Sequence, residues 1–295
     1  MVKTYGQLYR EVARMIEPVE GPMAANTARE LLAHVTGKPQ AALMAMSTLY
    51  VSDATEEAYT ALARRILNQE PLAYILGEWD FYGLRLTVTP DVLIPRDDTM
   101  AVVDLALEEP LPANPRILDL CTGSGCIGLT LASKCTDARV TLADISPQAL
   151  KVAKKNAADL RLTGRVSCIQ ADALAPASKF LGQFDLIVSN PPYITSEDMR
   201  TLQPSVRNYE PHLALDGGPD GLVFYRAIAE NFSPALKPGG ILAMEFGLGQ
   251  ADAICGILET HDFEILRLRM DTGRVTRAVL AKKKERNHEH EEGNL

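Results

Sequence analysis

From about residue 100 this chain alternates short apolar runs with helix-patterned stretches, and no other feature limits its fold as tightly. Strands are expected at Arg116–Leu120, Arg139–Ala143, Val166–Gln170, Asp185–Ser189 and Ile241–Phe246, with helices over 126–134, 147–160, 221–236 and 250–260. Strict alternation requires crossover connections, so the strands run parallel and the helices cover both faces of an α/β sheet. The last two runs, Phe263–Met270 and Val275–Ala281, follow each other without a helix. They predict an antiparallel hairpin at the sheet edge.

Residues 1–76 are patterned differently. In TYGQLYREVARMIE the apolar residues Leu8, Val12, Met15 and Ile16 share one helical face, and Ala28, Leu31, Leu32 and Val35 repeat it until Gly37. Asp53 with Glu56 reads as a capping box that opens a third helix. A small helical bundle is the expectation. After Gly77 the run Leu84–Thr89 alternates with period two, and Pro90 and Pro95 interrupt it, which predicts a β-hairpin linker over 77–97. On this division the α/β domain spans 98–283, and the charge-dense residues 284–295 form a solvated tail.

At 295 residues the chain can bury two cores, and 46% apolar with 23% charged residues is the composition of a folded globular protein. A net charge of −8 weighs against a general nucleic-acid binder, which needs surplus Lys and Arg to neutralise phosphates. No direct nucleic-acid contact is expected. The opening MVKTYGQLYREV lacks an apolar signal core, and nowhere do apolar residues run long enough to span a bilayer, so the expected location is cytoplasmic. Cys121, Cys126, Cys135, Cys168 and Cys255 form no CxxC pair; they read as reduced, mostly buried thiols with no metal site. Nothing demands more than a monomer.

The first strand of the α/β domain runs into Asp119-Leu120-Cys121-Thr122-Gly123-Ser124-Gly125-Cys126-Ile127-Gly128. Glycines between a strand and a helix let a ligand approach the backbone, and the helix start offers free N–H groups. The literal G-x-G-x-x-G at 123–128, with Asp144 downstream, admits a nicotinamide dinucleotide; a phosphate-binding loop is set aside because no Gly-Lys-Ser/Thr follows. S-adenosyl-L-methionine suits the acidic residues better. Asp119 would repel a pyrophosphate, yet it can anchor the turn formed by Cys121, Thr122, Gly123, Ser124 and Gly125 and help hold a cationic methionyl group. Asp144 can accept both ribose hydroxyls, and Asp172 with Ala173 can read an adenine edge. The simpler alternative makes each aspartate a loop or helix cap.

Open α/β sheets bind ligands beyond the carboxyl ends of their strands, and there the fourth strand ends in Asn190-Pro191-Pro192-Tyr193. As a plain turn this is sound, since a residue before Pro avoids the helix and Pro-Pro extends the chain. It also answers a chemical need. An amide or aromatic amine nitrogen has a delocalised lone pair and is a poor nucleophile. The Asn190 side-chain oxygen and the Pro191 carbonyl, stiffened by Pro192, can each accept one hydrogen from such an NH2 group and aim its lone pair at a methyl donor. Tyr193 can pack on its flat face. No strong general base is required, because a methylated, protonated amide sheds its proton readily.

The chain resembles the release factor glutamine methyltransferases, the PrmC/HemK family, from about residue 70 to residue 281. The resemblance rests on PLAYILGEWDFYGL (71–84), VTPDVLIPR (88–96), ILDLCTGSGCIGL (117–129), ADISPQAL (143–150), SNPPYI (189–194), EPHLALDGGPDGL (210–222) and LKPGG (236–240). It implies a Rossmann-like class I S-adenosylmethionine-dependent methyltransferase sheet with a C-terminal antiparallel hairpin, after a small helical bundle that docks substrate. It further implies N5-methylation of the glutamine in the Gly-Gly-Gln loop of peptide chain release factors, with S-adenosylhomocysteine as product. On the family pattern Gly123, Gly125, Asp144, Asp172, Ala173 and Asn190 meet the cofactor, and Asn190, Pro191, Pro192 and Tyr193 meet the substrate.

Two departures stand out. Cys121 replaces a usual Gly and puts a side chain into the turn, while Met100, in Arg96-Asp97-Asp98-Thr99-Met100, replaces a usual acidic residue. NPPY is also shared with methyltransferases of adenine N6 or guanine N2, so a nucleic-acid substrate is the second hypothesis. A nonenzymatic S-adenosylmethionine-binding module is the third. The loop from Ile194 to the next helix, about 30 residues, is expected to shape the target's entry.

Overall fold

The structure, a computed structural model, describes residues 2–285. The tail expected at 284–295 lies outside the described residues beyond Glu285. The chain divides into two compact units. One reaches Trp79 and includes Gln203–Tyr209; the other comprises Asp80–Leu202 and the chain from Glu210.

The first unit carries α1 (Tyr5–Glu20), α2 (Ala24–Thr36), α3 (Gln40–Ala45), α4 (Asp53–Leu67) and α5 (Leu72–Leu76). Leu8, Val12 and Ile16 of α1 pack with Leu31 and Leu32 of α2 and with Tyr59, Ala63 and Ile66 of α4, the apolar faces that the spacing predicts. The cap of α4 differs from the expectation. Ser52 is the N-cap, its hydroxyl accepting the Thr55 N–H, and Asp53 and Glu56 lie inside the first turn, where their charges suit the helix dipole. Ser52 has the extended backbone an N-cap needs.

Next come β1 (Glu78–Phe81) and β2 (Leu84–Thr87), paired as a two-stranded sheet. The hairpin expected as far as residue 97 stops at Thr87, because the chain through Pro90 and Pro95 has no strand partner among the described residues. There follow α6 (Met100–Glu108), β3 (Arg116–Leu120), α7 (Cys126–Lys134), β4 (Arg139–Asp144), α8 (Pro147–Asp159), β5 (Val166–Gln170) and β6 (Phe184–Ser189). The chain ends through α9 (Pro204–Tyr209), α10 (Val223–Asn231), β7 (Leu236–Glu245), α11 (Ala251–Thr260), β8 (Phe263–Met270) and β9 (Thr276–Lys283).

The seven large strands lie in the order β5-β4-β3-β6-β7-β9-β8, parallel through β7, with β9 antiparallel to both β7 and β8. Alternate residues feed two cores. Ile117, Leu186, Val188, Ile241 and Ala243 join α6, α7 and α8 on one face. Leu118, Leu120, Ile187, Leu242 and Met244 join α10 and α11 on the other. This is the predicted doubly covered sheet with an edge hairpin.

Four details differ from the expectations. Helix α6 is buried at Ala101, Val102, Val103, Leu105 and Ala106, so only Asp104 and Glu108 mark a polar side and its period is faint. The helix expected over 221–236 ends at Asn231, before Ser233-Pro234, and β7 begins at Leu236, taking LKPGG into the strand with a register shift opposite β6. Residues 194–222 are not a plain loop: they hold α9 and short 3-10 turns at Asp198–Arg200 and His212–Ala214. All five cysteines are free, as expected, but half-buried: Cys121 follows β3, Cys126 opens α7, Cys135 ends it, Cys168 lies on the edge strand β5 and Cys255 within α11. No helix among the described residues is long and apolar enough to cross a membrane.

Candidate active site

After β3 the chain moves outward to β5 and then returns to place β6 beside β3, so the switch in strand order falls between those two strands. The registers Leu120↔Ser189, Ser189↔Met244 and Leu120↔Ala143 bring Cys121, Asn190, Glu245 and Asp144 to one level beyond the sheet. A cavity of about 1080 Å³, its open mouth included, lies there between the glycine turn and the chain after β6. That is room for a nucleoside-sized ligand.

On the turn side, Asp119 is fully buried. Its Oδ2 accepts from Thr122 Oγ1 (2.5 Å) and from the Gly128 N–H (2.9 Å), which ties the turn to the first turn of α7. Burial pushes the Asp119 carboxyl up to about 7. The third glycine of the run is a packing position, since a Cβ on Gly128 would stand 2.3 Å from Leu142 Cδ2. Cys121 has φ +59°, a left-handed backbone that a side chain strains and glycine does not. Burial also holds its thiol well above the usual range.

Asp144 receives the Gly123 N–H on Oδ2 and the Ser146 N–H on Oδ1, both at 2.9 Å. Burial raises its pKa. Asp172 is exposed at the rim and caps the Leu174 N–H (2.8 Å), while Ala173 is buried in the wall. Of the predicted cofactor residues, Cys121, Thr122, Gly123, Ser124, Asp144, Asp172, Ala173 and Asn190 line the cavity. Asp119 and Gly125 stand behind that lining.

On the β6 side, Asn190 and Pro192 face the cavity, whereas Pro191 and Tyr193 stand outside its lining. Asn190 Nδ2 donates to Thr99 Oγ1 (3.3 Å). Below it lies Glu245, the last residue of β7 and 1% exposed, whose carboxylate neighbours the side chains of Thr99 and Asn190. Its Oε2 has no partner among the described residues, and burial pushes the group up to about 7. Burial likewise takes the Tyr193 phenol up to about 12.

The rest of the motif is gripped by distant backbone. Ile194 pairs with Asp216 as a short parallel bridge, and Gln250 Nε2 donates to the Tyr193 carbonyl (3.0 Å). A Cβ on Gly217 would lie 2.7 Å from Tyr193 Cα, and one on Gly221 would lie 2.4 Å from Tyr193 O. Glu210, also buried, pairs with Arg96 and accepts the Ile94 N–H (3.2 Å). Through these contacts the segments LIPR and EPHLALDGG meet at the cavity, where Pro95 and Pro211 form part of its wall.

Sequence reasoning missed Thr99, Asn156, Glu245 and Gln250. Asn156 joins the turn to β2, donating to Ser124 O (2.9 Å) and Thr87 O (3.0 Å). Its signal was a polar residue among Ala149, Val152, Ala153 and Ala157 on the apolar face of α8. Glu245 was marked too, as a carboxylate closing an apolar strand in the same way as Asp144.

Residues 101–218 match the family described as "Methyltransferase small domain", and residues 7–77 match the "PrmC N-terminal domain". A release factor glutamine methyltransferase of Bordetella pertussis is 43% identical over 253 residues, which is 85% of this chain and 92% of the relative. The chain belongs to the release factor glutamine methyltransferases. Another member, from Geobacter sulfurreducens, is 45% identical over 206 residues, 70% of this chain and 71% of its own. A methyltransferase crystal structure from Pyrococcus furiosus shares the fold, with TM-score 0.51 at 18% identity over 76% of this chain and 99% of that one.

As a release factor glutamine methyltransferase, the chain keeps a side chain on a left-handed residue at Cys121. Met100 stands outside the cavity lining and packs against the core beside α6. The missing acidic group is thus exchanged for apolar packing.

Proposed function

We propose that this enzyme transfers a methyl group from S-adenosyl-L-methionine to the side-chain amide nitrogen, N5, of the glutamine in the Gly-Gly-Gln loop of peptide chain release factors. It works in the cytoplasm as a monomer, with a release factor and no nucleic acid as partner. The observation that carries this reading is the Asn190 amide at the cavity wall. Its NH2 donates to Thr99 on the side where Glu245 lies, and its Oδ1 accepts from no described residue. An acceptor so exposed suits a substrate NH2.

The cavity fits a nucleoside with a cationic tail. Each Asp144 oxygen already accepts one backbone N–H and keeps a lone pair for a ribose hydroxyl. The space where a Gly123 Cβ would stand is open, so the tail can lie against the backbone there. Asp172 and the Ala173 N–H serve the adenine edge. When bound, S-adenosylmethionine supplies an electrophilic methyl on its sulfonium.

The chain's own residues then position the nucleophile. Asn190 Oδ1 and the Pro191 carbonyl accept the two N–H hydrogens of the glutamine amide, which turns its lone pair toward the methyl. These fixed dipoles oppose the positive charge that grows on nitrogen as it takes the methyl. The nitrogen sheds one proton to water, and S-adenosylhomocysteine is the coproduct. Tyr193 stays a neutral phenol throughout. Labelled S-adenosylmethionine should label a release factor, and replacing the Gln of its Gly-Gly-Gln loop should abolish the label; an unlabelled native factor overturns the reading.

A further inference from the structure

We infer that Glu245 is a positioning residue for methyl transfer: with Thr99 as a bridge, it fixes which face of the Asn190 amide meets the substrate. This rests on the function proposed above. A terminal amide is nearly symmetric in shape, and a half-turn about its last torsion exchanges oxygen for NH2. Hydrogen-bond partners alone decide the outcome. A carboxylate only accepts, so an ionised Glu245 beside Thr99 and Asn190 favours the Thr99 hydroxyl hydrogen and Asn190 Nδ2 on its side and disfavours Oδ1. The Thr99 oxygen, its own hydrogen committed, accepts an Nδ2 hydrogen at 3.3 Å. Polarity therefore runs one way, from Glu245 through Thr99 to Asn190, and leaves Oδ1 for the cavity.

The fold makes this arrangement deliberate. The pairing Ser189↔Met244 sends Asn190 and Glu245 out of adjacent strands at the same height. A buried carboxylate with one unpartnered oxygen lowers stability relative to an apolar residue of similar size. The groups facing it do not supply a dedicated counter-ion: Arg277 is bound to Asp98 (3.2 Å) and Asp271 (3.0 Å). Tyr225 donates to the Glu245 backbone carbonyl (2.8 Å), not to its carboxylate, and Tyr193 remains neutral. Retaining Glu245 there makes sense when its acceptor character is used. Because burial holds the group near neutrality, acidification turns it into a donor and removes that polarity.

The test compares the full-length parent with Glu245→Gln, Thr99→Val and Thr99→Ser. In 15N-labelled protein without substrate, the Asn190 side-chain NH2 should be exchange-protected in the parent and in Thr99→Ser, and lose protection in the other two. With a release factor and labelled S-adenosylmethionine, Glu245→Gln should lower kcat roughly 10²-fold, as a misplaced reacting group does. Cofactor Kd by calorimetry should stay within about twofold. The thermal midpoint of Glu245→Gln at alkaline pH should hold or rise, since a buried charge is gone. The parent's kcat should fall below about pH 7, and this acid limb should vanish in Glu245→Gln. Parent-like kcat in Glu245→Gln, or a loss that tracks cofactor affinity and thermal midpoint, overturns the inference. If the parent itself fails to label a release factor, the proposed function is wrong, while the amide protection still decides whether Glu245 orients Asn190.

Discussion

Asp119 and Glu245 lie on the two strands that flank β6, and in isolation they look alike. Each is buried, each is pushed up to about 7 by that burial, and each leaves one oxygen without a partner among the described residues. Their partners separate them. Asp119 binds Thr122 and Gly128, a few residues further along its own segment, and so holds a turn in shape. Glu245 neighbours Thr99 and Asn190, brought from two remote segments, and so is placed to hold one side chain in one orientation. The same buried charge serves the fold in one place and the chemistry in the other.

The largest expected effect tests the side chain that the Glu245 region serves. Asn190→Ala should lower kcat by roughly 10²–10³ in steady-state methylation, as loss of a fixed transition-state dipole does, with cofactor Kd near the parent's. A matching fall in cofactor affinity would break the division between the two regions. Asp119→Ala should act oppositely, costing about 2–4 kcal/mol in denaturant unfolding because the Gly128 N–H and Thr122 hydroxyl lose a buried acceptor. Cofactor binding should fall with it.

Acid–base linkage comes next in size. Both carboxyls have folded-state pKa values of about 7 against ordinary values of 3.8 and 4.5, so the folded protein holds extra protons between those limits. The stability they contribute is complete below the ordinary values, is lost as pH rises to about 7, and is flat above. Each group should account for on the order of 3–4 kcal/mol of that fall, read from unfolding curves across the range. Glu245→Gln and Asp119→Asn should each remove one share; a slope unchanged in both variants would show that these groups do not drive it. The smallest effect concerns the turn alone. Cys121→Gly should change stability by less than about 1 kcal/mol, because relief of the left-handed strain offsets the lost packing, whereas Cys121→Val should be clearly worse. Equal thermal midpoints for the two would sink that account.

The doubly covered sheet was legible because its strands are short apolar runs separated by capped, amphipathic helices. The bounds of β3, α7 and β5 follow from Arg116, Cys126 and Val166 as read from the sequence. Helix α6 escaped because burial on most sides leaves only Asp104 and Glu108 to mark its period. The turn side of the site was legible for a related reason: Asp119, the glycines and Asp144 act within local strand-to-helix geometry. The β6 side was legible only in its four-residue motif. What holds that motif, from Thr99, Gly217, Glu245 and Gln250, comes from three separate stretches, and no local pattern reports contacts made across such distances.

Strand order also has a consequence for synthesis. As the chain leaves the ribosome, the glycine turn, Asp144 and the NPPY residues all emerge before Leu236. A nascent chain at that stage owns all of these residues, yet β6 is still a bare edge. Asn190 gains its orienting carboxylate only when β7 docks beside β6, and β7 in turn stays uncovered until β9 arrives. Catalytic competence is thus expected to come last, with the strands that follow the NPPY residues.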